Sequence, residues 1–268
     1  MIKAYFALIL FTAAYSQSNS ISVETNIPFH PGSNLTYNFD EAGRLLSMVR
    51  NDLNNDQPGS SIFVYTDNLL TQIIINDYPK SGEIITYDFL YDEKKRFTAQ
   101  KSSKEIDTIK FYYDDKNRLI SVENYRGCDI QNKYGAESGL IDEKISKVIN
   151  PELSGYYDIT RYHYEPDKIT EEKTFYNPYC ERKPTVTIKE FKNKNVSKKT
   201  FYDQGNPGQL TRVTEYQYSK SGFLKKIIDD NDISEKFEVK CQNCKVSPEV
   251  VKKINLILLG DFESMNWY

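Results

Sequence analysis

The sequence predicts an all-β fold, an array of antiparallel β-hairpins forming a curved sheet or open barrel with a short C-terminal helix. Three observations carry the prediction. A unit of aromatic-ended strand, polar turn and second strand recurs along the chain, most clearly over Phe111 to Val122 (FYYDDKNRLISV). Taking the last aromatic before each turn as an anchor gives Phe39, Tyr65, Tyr91, Tyr113, Tyr164, Phe191 and Tyr218, spaced 26, 26, 22, 51, 27 and 27 residues apart. A period in the twenties marks one supersecondary unit per repeat. Finally, each anchor and the residue two before it share a face of their strand. Six of those seven pairs are doubly aromatic, Lys189/Phe191 being the exception, so one face of the sheet is an aromatic ladder.

In chain order, the first residues are a targeting segment. Lys3 gives a short positive region, Ala4 to Ala14 is mostly apolar, and Ala14, Tyr15 and Ser16 place small residues near a cleavage point. A signal peptide over 1–16 is expected, with Gln17 as the mature N-terminus. Residues 17–34 are polar, with Ile21 and Val23 as a possible edge strand ended by His30, Pro31 and Gly32. The repeats follow from Leu35, and the array as a whole is assigned to 17–246. Residues 126–157 interrupt the spacing. Apolar positions 140, 141, 145, 148 and 149 fit a short amphipathic helix stopped by Pro151, or a degenerate hairpin, since the 51-residue gap is about twice the repeat. Residues 247–268 differ in kind: Ser247, Pro248 and Glu249 start a helix, Val250, Val251, Ile254, Ile257 and Leu258 follow at helical spacing, and Gly260 stops it. That helix is expected to cap an open edge of the array.

Composition narrows the functional classes. In 268 residues, 39% are hydrophobic and 27% charged, low in apolar content for one compact core, but 21 Tyr and 14 Phe suit a pleated, half-buried surface. A net charge of −3 without a basic stripe argues against a nucleic-acid partner. Beyond the leader no apolar run is long enough for a membrane helix, so no integral membrane segment is expected after signal cleavage. An exported chain, secreted, periplasmic or cell-surface associated, is the expectation.

The repeats over Phe39 to Leu45, Tyr91 to Phe97 and Tyr113 to Leu119 resemble the tyrosine–aspartate (YD) repeat of Rhs-type proteins, and are similar to small exported Bacteroidetes proteins with a porin-like or open-barrel sheet. The resemblance covers most of residues 35–230. Later copies depart from it, with Glu165 for the aspartate and Lys192 and Ser219 not acidic. It implies a hairpin array, sometimes carbohydrate-binding, and carries over no catalytic residue.

Candidate chemistry is sparse. Four cysteines in an exported chain point to disulfides. Cys241 and Cys244 read as a bridge across a turn, because the helix that would lower a redox thiol's pKa begins later and a zinc site would need a second ligand pair. Cys128 and Cys180 lie 15 and 16 residues after anchors Tyr113 and Tyr164, on one rim of the array. If 126–157 loops out, their hairpins are neighbours and the two thiols reach bonding distance, closing a loop of about 50 residues. His30 and His163 have no recurring partner, and Asp229 to Asp232 reads as a turn more readily than a calcium loop. No cofactor and no metal is expected. The candidate ligand-binding aromatics are Tyr112, Tyr113, Tyr162, Tyr164, Tyr216 and Tyr218, against the plainer reading that the ladder is core. Function reads as a non-enzymatic exported binding or scaffold protein of a bacterial envelope, with carbohydrate or an envelope protein as partner. The alternatives are a hydrophobic-ligand or lipid carrier with an open barrel lumen, and an enzyme acting from 126–157.

Overall fold

The computed structural model describes residues 21–26, 33–52, 59–76, 83–105, 107–153, 155–177, 180–181, 184–193, 195–203, 210–230, 232–241 and 246–259. The strands are β1 (Ile21–Asn26), β2 (Ser33–Phe39), β3 (Leu45–Asp52), β4 (Gly59–Thr66), β5 (Leu69–Asn76), β6 (Ile84–Tyr91), β7 (Phe97–Ser102), β8 (Ile109–Tyr113) and β9 (Leu119–Tyr125). They continue as β10 (Cys128–Tyr134), β11 (Ile141–Val148), β12 (Tyr157–Glu165), β13 (Lys168–Asn177), the two-residue β14 (Cys180–Glu181), β15 (Thr185–Lys192), β16 (Asn195–Asp203), β17 (Leu210–Tyr218), β18 (Leu224–Asp229) and β19 (Asp232–Cys241). Among the described residues one α-helix, α1, spans Pro248–Leu258.

Each strand pairs antiparallel with the next, β13 pairing with β15 past the short β14. β1 lies between β2 and β19 and completes the circuit. Of the nineteen strands all but β14 lie on that circuit, so eighteen strands close a barrel made of eight sequential hairpins and one terminal pair. Closure removes every sheet edge, which an array of this length otherwise leaves exposed.

The turns explain the curvature. At Asp40 to Arg44, the Gly43 N–H donates to the Asp40 carbonyl and the Asp40 N–H donates to the Arg44 carbonyl, both at 3.0 Å. The residue before the arginine is left-handed: Gly43 (φ 76°), and at the equivalent positions Lys95 (61°) and Asn117 (60°). This is a type I turn followed by a left-handed residue, which leaves a bulge in the hairpin. The register shifts immediately before the anchor at Phe39, Tyr65, Tyr91, Tyr113, Tyr134, Phe191 and Tyr218. Seven of the eight hairpins thus carry a bulge just before the anchor, β12 and β13 pairing without a shift, and these bulges raise twist and bend near one rim, which helps curl the sheet onto itself.

Directly opposed residues share a face, so the registers trace which side chains face inward. Ile21, Val23, Phe39, Leu45, Leu224 and Phe237, drawn from β1, β2, β3, β18 and β19, pack on Val251, Ile254, Ile257 and Leu258 of α1. Side chains from that many strands meet one helix only on the concave side. The aromatic ladder is therefore the inner wall.

Helix α1 forms as its sequence implies. The Ser247 side chain accepts from the Val250 N–H and Pro248 occupies the first turn. It seats on two hairpin turns. Asn255, buried, accepts from the Leu224 N–H and donates to the Gly222 carbonyl, each at 2.8 Å. A Cβ on Gly43 would lie 2.9 Å from Val250 Cγ1. With no open edge to cover, the helix plugs part of the barrel mouth instead.

Three expectations are corrected. Ile21 and Val23 belong to the closing strand, not an edge strand, because both long flanks of β1 are paired. Residues 126–157 hold β10, β11 and a 3-10 turn at Pro151–Leu153, so of the two readings the hairpin holds, Glu137 to Ile149 is not a helix, and the array is not interrupted. Tyr134 is the missing anchor, 21 residues after Tyr113 and 30 before Tyr164. The third follows from the second. Cys128 is a free thiol, and β11, β12 and β13 stand between its strand and β14, which holds Cys180. At about 4.8 Å per strand that separation exceeds what a disulfide spans. The Cys241–Cys244 bridge, His30, the signal peptide and Gly260 lie outside the described residues or rest on them.

Candidate functional site

At the rim the tyrosines are fastened hairpin to hairpin. Asp114 Oδ1 accepts from the Lys116 and Arg118 N–H groups at 2.9 and 2.8 Å, and Arg118 Nε donates to Asp114 Oδ2 at 2.7 Å. The guanidinium, held flat by that pair, lies 4.5 Å from the ring centre of Tyr134 on the next hairpin. Tyr134 in turn donates its hydroxyl to the Leu119 carbonyl at 2.8 Å. The same unit recurs at Asp40, Arg44 and Tyr65 and at Asp92, Arg96 and Tyr113. Tyr91, Tyr164 and Tyr218 keep the hydroxyl-to-carbonyl bond, with no arginine above them among the described residues. Burial pushes the Tyr65 phenol up to about 12, with the Asp40 carboxylate adding to it, and burial alone does the same at Tyr91. The Asp92 and Asp114 carboxyls are held below their ordinary range, chiefly by the backbone N–H of Arg96 and of Arg118. These groups are fasteners of the fold.

Inside, the lumen has two walls. Over β2 to β9 the inward residues include Tyr37, Met48, Phe63, Ile73, Tyr87, Phe89, Ile109 and Phe111, each opposite another member of the face on the neighbouring strand. Phe97 packs 4.3 Å from Phe111 and 5.5 Å from Phe89, centre to centre. Over β10 to β17 the same face sets Tyr162, Tyr164, Phe175 and Phe201 among Asn132, Lys144, Asp158, Thr160, Lys173, Glu171, Thr187, Lys189, Lys199, Arg212 and Thr214. Three ion pairs knit it: Lys173–Asp158 at 2.7 Å, Lys189–Glu171 at 2.7 Å and Arg212–Asp229 at 2.6 Å. Although inward, the Lys173 and Arg212 side chains are 52% and 60% exposed, so this wall meets water in the lumen. Eighteen strands are enough for such a space, since barrels of this count enclose an aqueous interior.

The outer face carries Asp88, Lys110, Glu143, Arg161, Glu172 and Glu215 along the strands. It is not the apolar band that lipid contact requires.

The sequence-selected tyrosines do not converge. Tyr112 is outward, 39% exposed, and donates to Glu123 at 2.8 Å. Tyr113 is fastened under Arg96. Tyr216 and Tyr218 pack against the cluster under α1. Tyr162 and Tyr164 stay together on the inner wall, stacked at 6.3 Å, with Tyr164 39% exposed. His163 is outward and exposed. Asp229 is taken up by Arg212 and Thr214, and Asp230 accepts from the Val213 N–H. Among the described residues no three His, Cys, Asp or Glu side chains gather as a metal site would need. The charged wall was missed because its residues sit on second strands and at the centre of up-strands, where the anchors gave no view. Lys189, the one break in the ladder, was its visible sign.

The molecule thus belongs to the class of closed antiparallel up-and-down barrels with one mouth partly plugged by a helix. Among solved structures it is similar to the TcdB2-TccC3 complex, with and without its hypervariable C-terminal region, at 12% identity and a TM-score of 0.46 over 75% of this chain. It is also similar to a Photorhabdus luminescens Tc holotoxin pore, at 13% identity and a TM-score of 0.40 over 79% of this chain. The chain spans 11–13% of the length of those proteins. No family model matches the sequence, and no curated protein does.

Proposed function

We propose that the mature chain is an exported, non-enzymatic binding protein of a bacterial envelope whose ligand enters the barrel lumen. The observation that carries the reading is the pair of facing walls, aromatic over β2 to β9 and ion-paired and hydrated over β10 to β17. A ligand spanning them has an apolar body and an ionic head, because burying either part against the wrong wall costs free energy. This favours the carrier form of the reading.

The carbohydrate form rests on Tyr162 and Tyr164, whose stacked, part-exposed rings suit a sugar face. The two forms separate in one titration. Anilinonaphthalene sulfonate, an apolar anion, is expected to bind the purified protein with enhanced fluorescence. Phe111→Asp, which removes apolar surface and repels the sulfonate, is expected to weaken it about tenfold while far-UV circular dichroism shows the barrel still formed, and Tyr162→Ala to leave it unaltered. Binding that ignores Phe111 but is competed by neutral oligosaccharides and lost in Tyr162→Ala would favour the sugar form.

A further inference from the structure

Outside the lumen, the wall near the β1–β19 seam carries a cleft of about 340 Å³ lined by Glu24, Thr25, Asn34, Lys225, Lys226, Lys236, Phe237 and Glu238. That volume sits at the small end of the roughly 300–1,000 Å³ of ligand pockets. Its lysines are arranged against the usual logic of a sheet. Lys226 and Lys236 stand directly opposite each other on β18 and β19, a like-charge pair that destabilises a ladder. Lys225 joins them because the register shift before Tyr218 leaves it as the extra residue of β18. Among the described residues none of the three makes an ion pair. Glu24, one of the two carboxylates that line the cleft, is taken by Lys240 at 2.7 Å. Glu238, opposite Glu24 and two residues along β19 from Lys236, adds a second carboxylate to the lining.

We infer that this cleft binds a phosphoryl monoester whose remaining body is neutral or cationic. A dianion between Lys226 and Lys236 converts mutual repulsion into two charge-assisted contacts, with Lys225 as a third. The Glu238 and Glu24 carboxylates in the next row disfavour a second anionic group beside the first. A compact dianion suits three ammonium groups, which bind phosphate as point charges. The phosphoryl group has two possible sources, a soluble ester or a lipid headgroup, and the lysines would recognise both alike.

The experiment uses the mature chain and two probes, glycerol 3-phosphate by calorimetric titration and vesicles of phosphatidate in phosphatidylcholine by co-sedimentation. At least one is expected to bind, and the double variant Lys226→Ala/Lys236→Ala to lose tenfold or more of that binding. A control variant, Lys101→Ala/Lys147→Ala, removes two exposed lysines elsewhere and is expected to bind as the parent does. Thermal denaturation gives a second readout. The bound probe is expected to raise the parent's Tm and not that of the cleft variant, while sodium chloride at equal ionic strength does neither. Binding of the soluble ester identifies a soluble ligand, and binding of vesicles alone a headgroup. Binding to neither probe, equal losses in both variants, or a Tm shift reproduced by sodium chloride would overturn the assignment.

Discussion

The arc from β2 to β9 and the arc from β10 to β17 are built from the same hairpin and held together differently. In the first, an aspartate, an arginine and the next tyrosine fasten neighbouring rims, Phe97 locks the inner wall, and even the outer face is apolar in places, with Ile62 49% and Leu90 42% exposed. In the second, among the described residues no turn arginine covers the tyrosine of the next hairpin, one tyrosine hydroxyl per interface remains where a tyrosine is present, and ion pairs stand beside ring contacts such as Tyr157–Tyr176 and Tyr162–Tyr164. Glu143 on the outside holds Lys133 at 2.6 Å and Arg161 at 3.3 Å, while Lys189 and Glu171 do the same work inside. One repeat therefore tolerates two kinds of glue, because the backbone ladder and the pre-anchor bulge already fix the geometry. What the side chains then decide is stability in one arc and lumen chemistry in the other.

The sharpest way to break that contrast is Phe97→Ala. The ring is 5% exposed and touches Phe89, Tyr91 and Phe111, so a loss of about 3–5 kcal/mol is expected in urea denaturation. Asn255→Ala tests the plug that bridges the two arcs. It strands the Leu224 N–H and the Gly222 carbonyl, and about 1–3 kcal/mol is expected by the same measurement.

Tyr91→Phe should cost about 0.5–1.5 kcal/mol through its bond to the Leu70 carbonyl. The tyrosines also set an alkaline limit. Their folded pKa values are raised, so the stability they contribute is full below the ordinary 10.0 and is lost as pH rises towards about 12. Tyrosinate absorbance and unfolding are expected to rise together across that window, and separate transitions would remove Tyr65 and Tyr91 as fasteners. The smallest effect belongs to the charged wall. Glu171→Gln should cost about 1 kcal/mol, since the amide oxygen can still accept from Lys189 and both side chains keep about a quarter of their surface in water. A loss as large as that of Phe97→Ala would erase the distinction between the arcs.

How much of this was legible follows from the same difference. An aromatic before a polar turn marks a hairpin on its own, so Phe39, Tyr65, Tyr91 and Tyr113 gave the first arc correctly, as Ser247 and Pro248 gave the helix. Tyr134 escaped because its turn, Gly135 to Leu140, offers neither the aspartate nor the arginine, and apolar spacing over Leu140 to Ile149 imitates a helix. That single miss also produced the false Cys128–Cys180 bridge. The charged wall could not be read, since alternation says which residues share a face but not which face curves inward. Closure was invisible for another reason. Ile21 pairs with Cys241 across nearly the whole chain, and no local pattern reports a contact so distant.

That last pairing dictates a schedule. Hairpins zip from neighbour to neighbour with little loop entropy to overcome, whereas docking β1 on β19 waits for the final strand to emerge. Until then the growing sheet has two live margins, β1 and whichever strand was made last, able to recruit a second molecule. The slowest step in maturation is thus the one that ends self-association, and a nascent chain released before Phe237 to Cys241 is complete has no way to become inert.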